Sequence, residues 1–395
     1  MPHFLTSTST YWVTLLRLGL ILLPCFVSSK SFMEWFYSPS FLSVLIRPHQ
    51  SLPHLEEAHA IWALASDKSS KNGFSSFYVA NNSVRIPPLI LAVFSPLMGT
   101  GSYSRLWFSL VLLIIDALIS YLIEQIGIRL LGLLNDDDII SSQSKQPSQE
   151  EDLQRKLPES GQPQHAHIFP IYKTKEGLQP SIPLRSLPLL SAQIYYWSPF
   201  TVLPTSLYHS WQNLPSLFLV ASVFESIRSS SSGGSLTMAS LYLAVATYLE
   251  PYHIVYVVPI ILLSSFNHHN MFPSSSTPAS STWDLKMAKP AMFVIVSFAL
   301  WSLLLQGTTY NLVGSKSYWK VVGAIYGDTW LATSPNLSLQ WYFRMQIFSR
   351  FRDYFGAIFV GIPFVLIGPL YLRFFRYPGV LVSELYFFIV SEYST

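Results

Sequence analysis

Residues 236–263 read LTMASLYLAVATYLEPYHIVYVVPIILL, and the fold class follows from how that run is divided. A hydrocarbon core of about 30 Å takes about 20 apolar residues of helix, and this run is longer. It is interrupted near its middle by Glu250 followed by Pro251. One tilted helix and two short helices meeting at Pro251 are both open at this point. In either case an acid lies at membrane depth, where an ionisable side chain costs about 3 kcal/mol or more. Such a group turns toward protein or a water-filled cavity, so Glu250 is a candidate site residue.

Composition extends this reading to the whole chain. Hydrophobic residues make up 50% and charged residues 11%, against about 25% charged in a soluble domain. A net charge of +3 on 395 residues, without a basic block carrying interleaved aromatics, excludes nucleic acid as a partner. The single cysteine, Cys25, excludes internal disulfides and a cysteine-rich zinc site. It lies in an apolar run, where its thiolate is disfavoured and nucleophilic chemistry with it.

The run from Tyr11 to Val27, YWVTLLRLGLILLPCFV, has near-spanning length and also fits a cleaved signal peptide. Arg17 inside it, and the lack of a small-x-small site before soluble sequence, favour an uncleaved first helix. Residues 28–88 form a large first extramembrane loop, with helical spacing over HLEEAHAIWALA (His54–Ala65). Ile86 to Pro96 is short and proline-flanked, so a half-depth helix and a full span are both open. Leu106 to Ile123 is the cleanest span and carries a second intramembrane acid, Asp116.

Residues 1–123 therefore make an N-terminal membrane region. Residues 124–186, with NDDD at 135–138 and a polar, proline-rich tract, read as a disordered hydrophilic loop. The acidic triple Asp136, Asp137 and Asp138 reads as a solvated flank, and His165, His167, His268 and His269 as solvated loop histidines; no metal site is expected. Residues 187–395 form a C-terminal bundle of closely spaced apolar segments. The total is about nine hydrophobic segments, and an all-α polytopic membrane protein is the fold class. Lysines and arginines fall on both sides of the first spans, which leaves orientation open.

No phosphate loop, GxGxxG, HExxH or GxSxG occurs, so the common soluble-enzyme signatures are missing and no cofactor is expected. Sequons stand at Asn81 and Asn336. The segment 334–355, SPNLSLQWYFRMQIFSRFRDYF, sets Trp341, Tyr342 and Phe343 beside Arg344, Arg350 and Arg352. Aromatics suit the bilayer interface, and guanidinium groups suit lipid phosphates.

Four segments carry a resemblance to a known family. They are IIDALISYLI around Asp116, YYWSPFTVL around Ser198-Pro199, ATYLEPYHIVYVVPIILL around Tyr248, Tyr252 and Pro259, and PNLSLQWYF from Pro335 to Phe343. In this order they resemble the PIG-U family, subunit U of the glycosylphosphatidylinositol (GPI) transamidase. Ser338, Gln346 and Ser198 depart from the family's glycine, acid and asparagine. The family continues with further membrane helices beyond this length, so a truncated gene model or splice form is expected.

The resemblance implies a multi-pass subunit of the endoplasmic reticulum membrane. Its partners would be the other transamidase subunits, the GPI glycolipid and membrane lipids, and the catalytic cysteine would lie on another chain. It also favours two short helices over one tilted span at Pro251. Candidate lipid or glycan contacts are Asp116, Glu250, Asn336, Trp341, Tyr342 and Arg344.

Two other classes compete. Polytopic mannosyltransferases that use dolichol-phosphate-mannose share this helical layout and place acids in the first loop. Glu56 and Glu57 are the close acidic pair there, and a carboxylate base is what glycosyl transfer needs. A transporter fits the two buried acids and broken helices, but the two halves show no matching interrupted segments. Replacing Glu56 and Glu57 by alanine separates the enzyme from the other readings: under the subunit reading it leaves mannose transfer in the host membrane unchanged, and loss of transfer at normal protein levels overturns it.

Overall fold

The computed structural model describes residues 8–26, 52, 55–60, 86–98, 104–143, 186–207, 209–228, 233–266, 285–315 and 318–323, with single positions between 325 and 371. Every regular element in these stretches is helical. They are α1 (Thr8–Phe26), α2 (Pro88–Met98), α3 (Ser104–Gln143), α4 (Leu187–Trp197) and the short α5 (Pro199–Val202). A π-helical turn (Leu203–Leu207) leads to α6 (Asn213–Arg228) and α7 (Gly233–Leu249). A 3-10 turn (Pro251–Tyr256), α8 (Val257–Phe266), α9 (Leu285–Val313) and α10 (Tyr318–Val322) complete the series.

Two helices have portions long and apolar enough to cross a bilayer, Leu106–Leu130 of α3 and Lys289–Val313 of α9, each 25 residues. At 1.5 Å per residue each covers about 38 Å, more than the hydrocarbon core. The helix α3 runs on to Gln143, past Ile123, where the apolar pattern weakens. The acidic stretch 135–138 is therefore helical in its backbone, whereas the sequence places it in the hydrophilic loop. Residues 144–185 lie outside the described residues.

Both helix interruptions occur at a residue preceding proline, where crowding by the ring drives the backbone out of the helical region. Ser198, at φ −55° and ψ 129°, closes α4 by donating its N–H to the carbonyls of Ile194 and Tyr195. Its own carbonyl accepts from Thr201 and Val202 and starts α5. Glu250, at φ −140° and ψ 108°, ends α7 in the same way. Its N–H still reaches the Ala246 carbonyl at 2.9 Å, while its carbonyl takes the His253 N–H at 3.1 Å and opens the 3-10 turn. Residues 236–263 are thus two helices joined by one turn, as the resemblance implies.

The core is built by heptad-like faces. On α3, Leu112, Ile115, Ile119, Ile123 and Ile126 lie on one stripe. They share a cluster with Leu219, Val220, Val223 and Ile227 of α6 and with Ala192, Tyr195 and Tyr196 of α4. Small residues are buried on both helices of the α6–α7 pair: Ser222 and Ser226 on α6, and Ala239, Ser240 and Ala246 on α7. Small side chains let two backbones approach closely, which is how helices associate where lipid removes the hydrophobic drive. The Ser222 hydroxyl donates across this contact to the Ala239 carbonyl at 2.7 Å.

Helix α9 packs on α7 and α8. It buries Ala291, Val294, Ser297, Thr309 and Val313 and leaves Met292, Ile295, Val296, Leu300, Leu303 and Leu304 exposed. The Tyr248 and Thr309 hydroxyls are 2.8 Å apart and tie α9 to α7.

The α6–α7 contact makes a definite prediction. Ser222→Ala removes one interhelical hydrogen bond and costs about 0.6 kcal/mol. Ser222→Leu adds bulk at a fully buried position and costs about 2 kcal/mol more. Melting temperatures of the detergent-solubilised protein should rank wild type, S222A and then S222L, with only the last step large.

Candidate functional site

A polar seam runs through the apolar bundle, and it begins with Arg17. The helix α1 is apolar almost throughout, so a charged side chain on it is stable only against a counter-ion within the protein. Arg17 and Asp116 of α3 are both fully buried, with Nη1 2.5 Å from Oδ2. The second guanidinium nitrogen donates to the Tyr196 carbonyl at 2.6 Å and to Thr201 Oγ1 at 3.1 Å. The guanidinium plane also lies over the Tyr196 ring, 4.1 Å from its centroid.

The carboxylate of Asp116 has further donors on each oxygen. Asn213 Nδ2 donates to Oδ1 at 2.8 Å, and Thr205 Oγ1 lies 2.7 Å from Oδ2. Thr201 stands 2.9 Å from both the Tyr195 and Ser198 carbonyls, which anchors it at the α4–α5 joint. One turn from Arg17 on α1, Thr14 reaches the Tyr196 hydroxyl at 3.1 Å.

Six elements meet at this point: α1, α3, α4, α5, the π turn and the first residue of α6. A buried pair of charges is worth little as net stability, because desolvation offsets the attraction. Removing one partner is costly, because the other charge stays buried. Both carboxylate oxygens of Asp116 are thus met by protein donors.

Contacts along α3 trace the path of the following segment. Thr205 is level with Asp116, His209 with Ser109 (Nδ1 to Oγ 2.8 Å), and Asn213 is back at Asp116. The chain reverses at His209, whose φ of 52° is in the left-handed region that a non-glycine residue occupies only under constraint. Its carbonyl accepts the Leu52 N–H at 3.1 Å, which joins the first-loop segment to the turn.

That segment contains the acidic pair. Glu56 accepts from Ser104 Oγ at 3.2 Å, while Glu57 is exposed. His59 Nε2 lies 3.2 Å from Ser95 Oγ of α2. The two carboxylates thus have different surroundings.

At the other helix break Glu250 is 7% exposed and His253 1% exposed. His253 Nδ1 is 3.2 Å from the Glu250 carbonyl. Its ring lies tilted against those of Tyr252 and Tyr256, with centroids at 4.3 and 6.0 Å. The Tyr371 hydroxyl donates to the Val255 carbonyl in the 3-10 turn, which ties the C-terminal part of the chain to the break.

The structure therefore places Asp116 in the seam and Glu250 at the second break, as separate sites. Asn336, Trp341, Tyr342 and Arg344 lie outside the described residues. Among the described residues no group of three or more His, Cys, Asp or Glu is arranged to hold a metal ion. Thr201, Thr205 and Asn213 were not singled out from sequence, and Arg17 only as an argument against cleavage. The available signal was the charge itself, since an arginine in an apolar run requires an acid in another.

Comparison with known proteins adds an independent observation. Residues 18–394 match the family described as GPI transamidase subunit PIG-U. The chain is 26% identical to the GPI transamidase component GAB1 of Saccharomyces cerevisiae over 147 residues, 37% of this chain and 32% of the relative. It is 26% identical to a GAB1 homolog of Schizosaccharomyces pombe over 212 residues, 53% of this chain and 46% of the relative. It is 23% identical to the GPI-anchor transamidase component PIGU of Homo sapiens over 206 residues, 51% and 43% of the two chains. In each case the chain spans less than half the length of the curated relative it matches.

The donors around Asp116 supply a test. Thr205→Val keeps the shape and removes one bond to a charged acceptor, at a cost of about 1.5 kcal/mol. In an Asp116→Leu background the same change should cost much less, a coupling that a double-mutant cycle on detergent-solubilised protein measures.

Proposed function

Because this chain belongs to the PIG-U family of GPI transamidase subunits, we propose that it serves as a non-catalytic, multi-pass subunit of that complex in the endoplasmic reticulum membrane. In this reading it holds the GPI glycolipid while another chain performs the transfer. The carrying observation is the family match, which extends over residues 18–394. The polar seam supports it, since Asp116 and Tyr196 fall in two of the four family-like segments.

A division of labour follows. The seam sets the positions of α1, α3, α4 and α6, and lipid or glycan contacts fall to Glu250, Asn336, Trp341, Tyr342 and Arg344. A guanidinium matches phosphate oxygens with paired donors, and Trp and Tyr suit the level of lipid headgroups. The sole cysteine, Cys25, belongs to the apolar α1, a poor setting for a thiolate nucleophile. The Ser104 hydroxyl bond to Glu56 supports a structural part for the first-loop acids over a glycosyl-transfer base. The layout of about nine spans, similar to the dolichol-phosphate-sugar glycosyltransferases, belongs to the same proposal.

The test uses cells lacking their own subunit U. Full-length wild-type chain is expected to co-purify with the other transamidase subunits and to restore a GPI-anchored reporter to the surface. The Glu56→Ala/Glu57→Ala variant should match it to within about twofold, as expected of partly exposed positions. Asp116→Ala combined with Trp341→Ala should lower both recovery of GPI lipid and reporter signal. Normal recovery in that variant, or failure of the wild-type chain to enter the complex, counts against the reading.

A further inference from the structure

We infer that the Arg17–Asp116 pair is a retention lock, which makes α1 a permanent helix of the bundle and not a leader to be removed. By length and composition alone α1 passes for a signal sequence, and the difference lies in one side chain. Arg17 is fully buried and its bonds reach far along the chain. Asp116 lies 99 residues on, the Tyr196 carbonyl 179 and Thr201 184. None of these partners exists when α1 first enters the membrane. The helix therefore carries an uncompensated charge until α3, α4 and α5 have been made, and it docks late.

The fit is specific to a guanidinium. One nitrogen meets the carboxylate, the other takes a carbonyl and a hydroxyl, and the plane lies over Tyr196. A chain stripped of α1 keeps the Asp116 carboxylate at a buried position with only the neutral donors Thr205 and Asn213. A buried charge left without its counter-ion is the costly half of a broken pair. The lock therefore acts as an assembly checkpoint: a chain that has not paired these residues is marked by an unpaired charge on a hydrophobic helix. The inference stands on the geometry and is independent of the transamidase reading.

The test uses the full chain with an epitope before Thr8, a second at the C-terminus, and a site-specific protease sequence inserted within residues 28–51. After expression in microsomes, the expected result is that the mature wild-type chain retains the N-terminal epitope. After cleavage in mild detergent, the α1 fragment should co-purify with the C-terminal epitope. Arg17→Leu or Asp116→Leu alone should reduce this retention by about tenfold or more, whereas the neutral pair R17L/D116L should recover most of it. The recovery distinguishes a broken lock from general misfolding. Absence of the N-terminal epitope from the mature wild-type chain overturns the inference. So do single variants that retain α1 as well as wild type, or a double variant no better than the worse single.

Discussion

A charge on an apolar helix can persist only where the fold supplies its opposite, and in this protein that constraint organises half of the bundle. Arg17 and Asp116 must meet at the same depth and at contact distance. The seam around them then recruits Thr201 and Thr205 from before the His209 turn and Asn213 from after it. None of these residues needs to be charged. Their part is to give Arg17 Nη2 and the two carboxylate oxygens of Asp116 further partners, without which a buried pair costs more than it returns.

The two helix breaks are set by a simpler rule, the exclusion of the helical region before proline. At Ser198 the break turns the chain into α5 and brings Thr201 to the guanidinium. At Glu250 it leaves a 3-10 turn whose carbonyl at Val255 is taken by the Tyr371 hydroxyl, far along the sequence. A break at membrane depth frees backbone groups that lipid cannot satisfy, so each must find a partner in the protein. The aromatic packing of Tyr252, His253 and Tyr256 around the second break meets the same need for enclosure.

Much of this architecture could be read from sequence because its determinants are local. Pro199 and Pro251 mark the breaks, apolar runs mark the helices, and Asp116 and Glu250 stand out as acids at membrane depth. What was not legible is pairing. Nothing local in YWVTLLRLGL points to Asp116, and Thr201, Thr205 and Asn213 resemble ordinary joint residues until the fold brings them together. The extent of α3 was misjudged for a related reason: the apolar pattern weakens after Ile123, but an α-helix needs only its backbone bonds to continue into a polar stretch. The segments that resemble the family most closely by residue spacing, 335–343 above all, lie outside the described residues, so that part of the candidate site rests on sequence.

The order of contacts between α3 and α6 has a consequence for topology. Asn213 meets Asp116, and farther along both helices Phe224 lies under Arg129, 4.5 Å from ring centroid to guanidinium. The two helices therefore point the same way. Thr205 and then His209 follow α3 in the opposite sense, so the π turn and the residues up to His209 return against both helices. The turn at His209 is therefore what lets one carboxylate, Asp116, be met from two successive passes of the chain, by Thr205 before the reversal and by Asn213 after it.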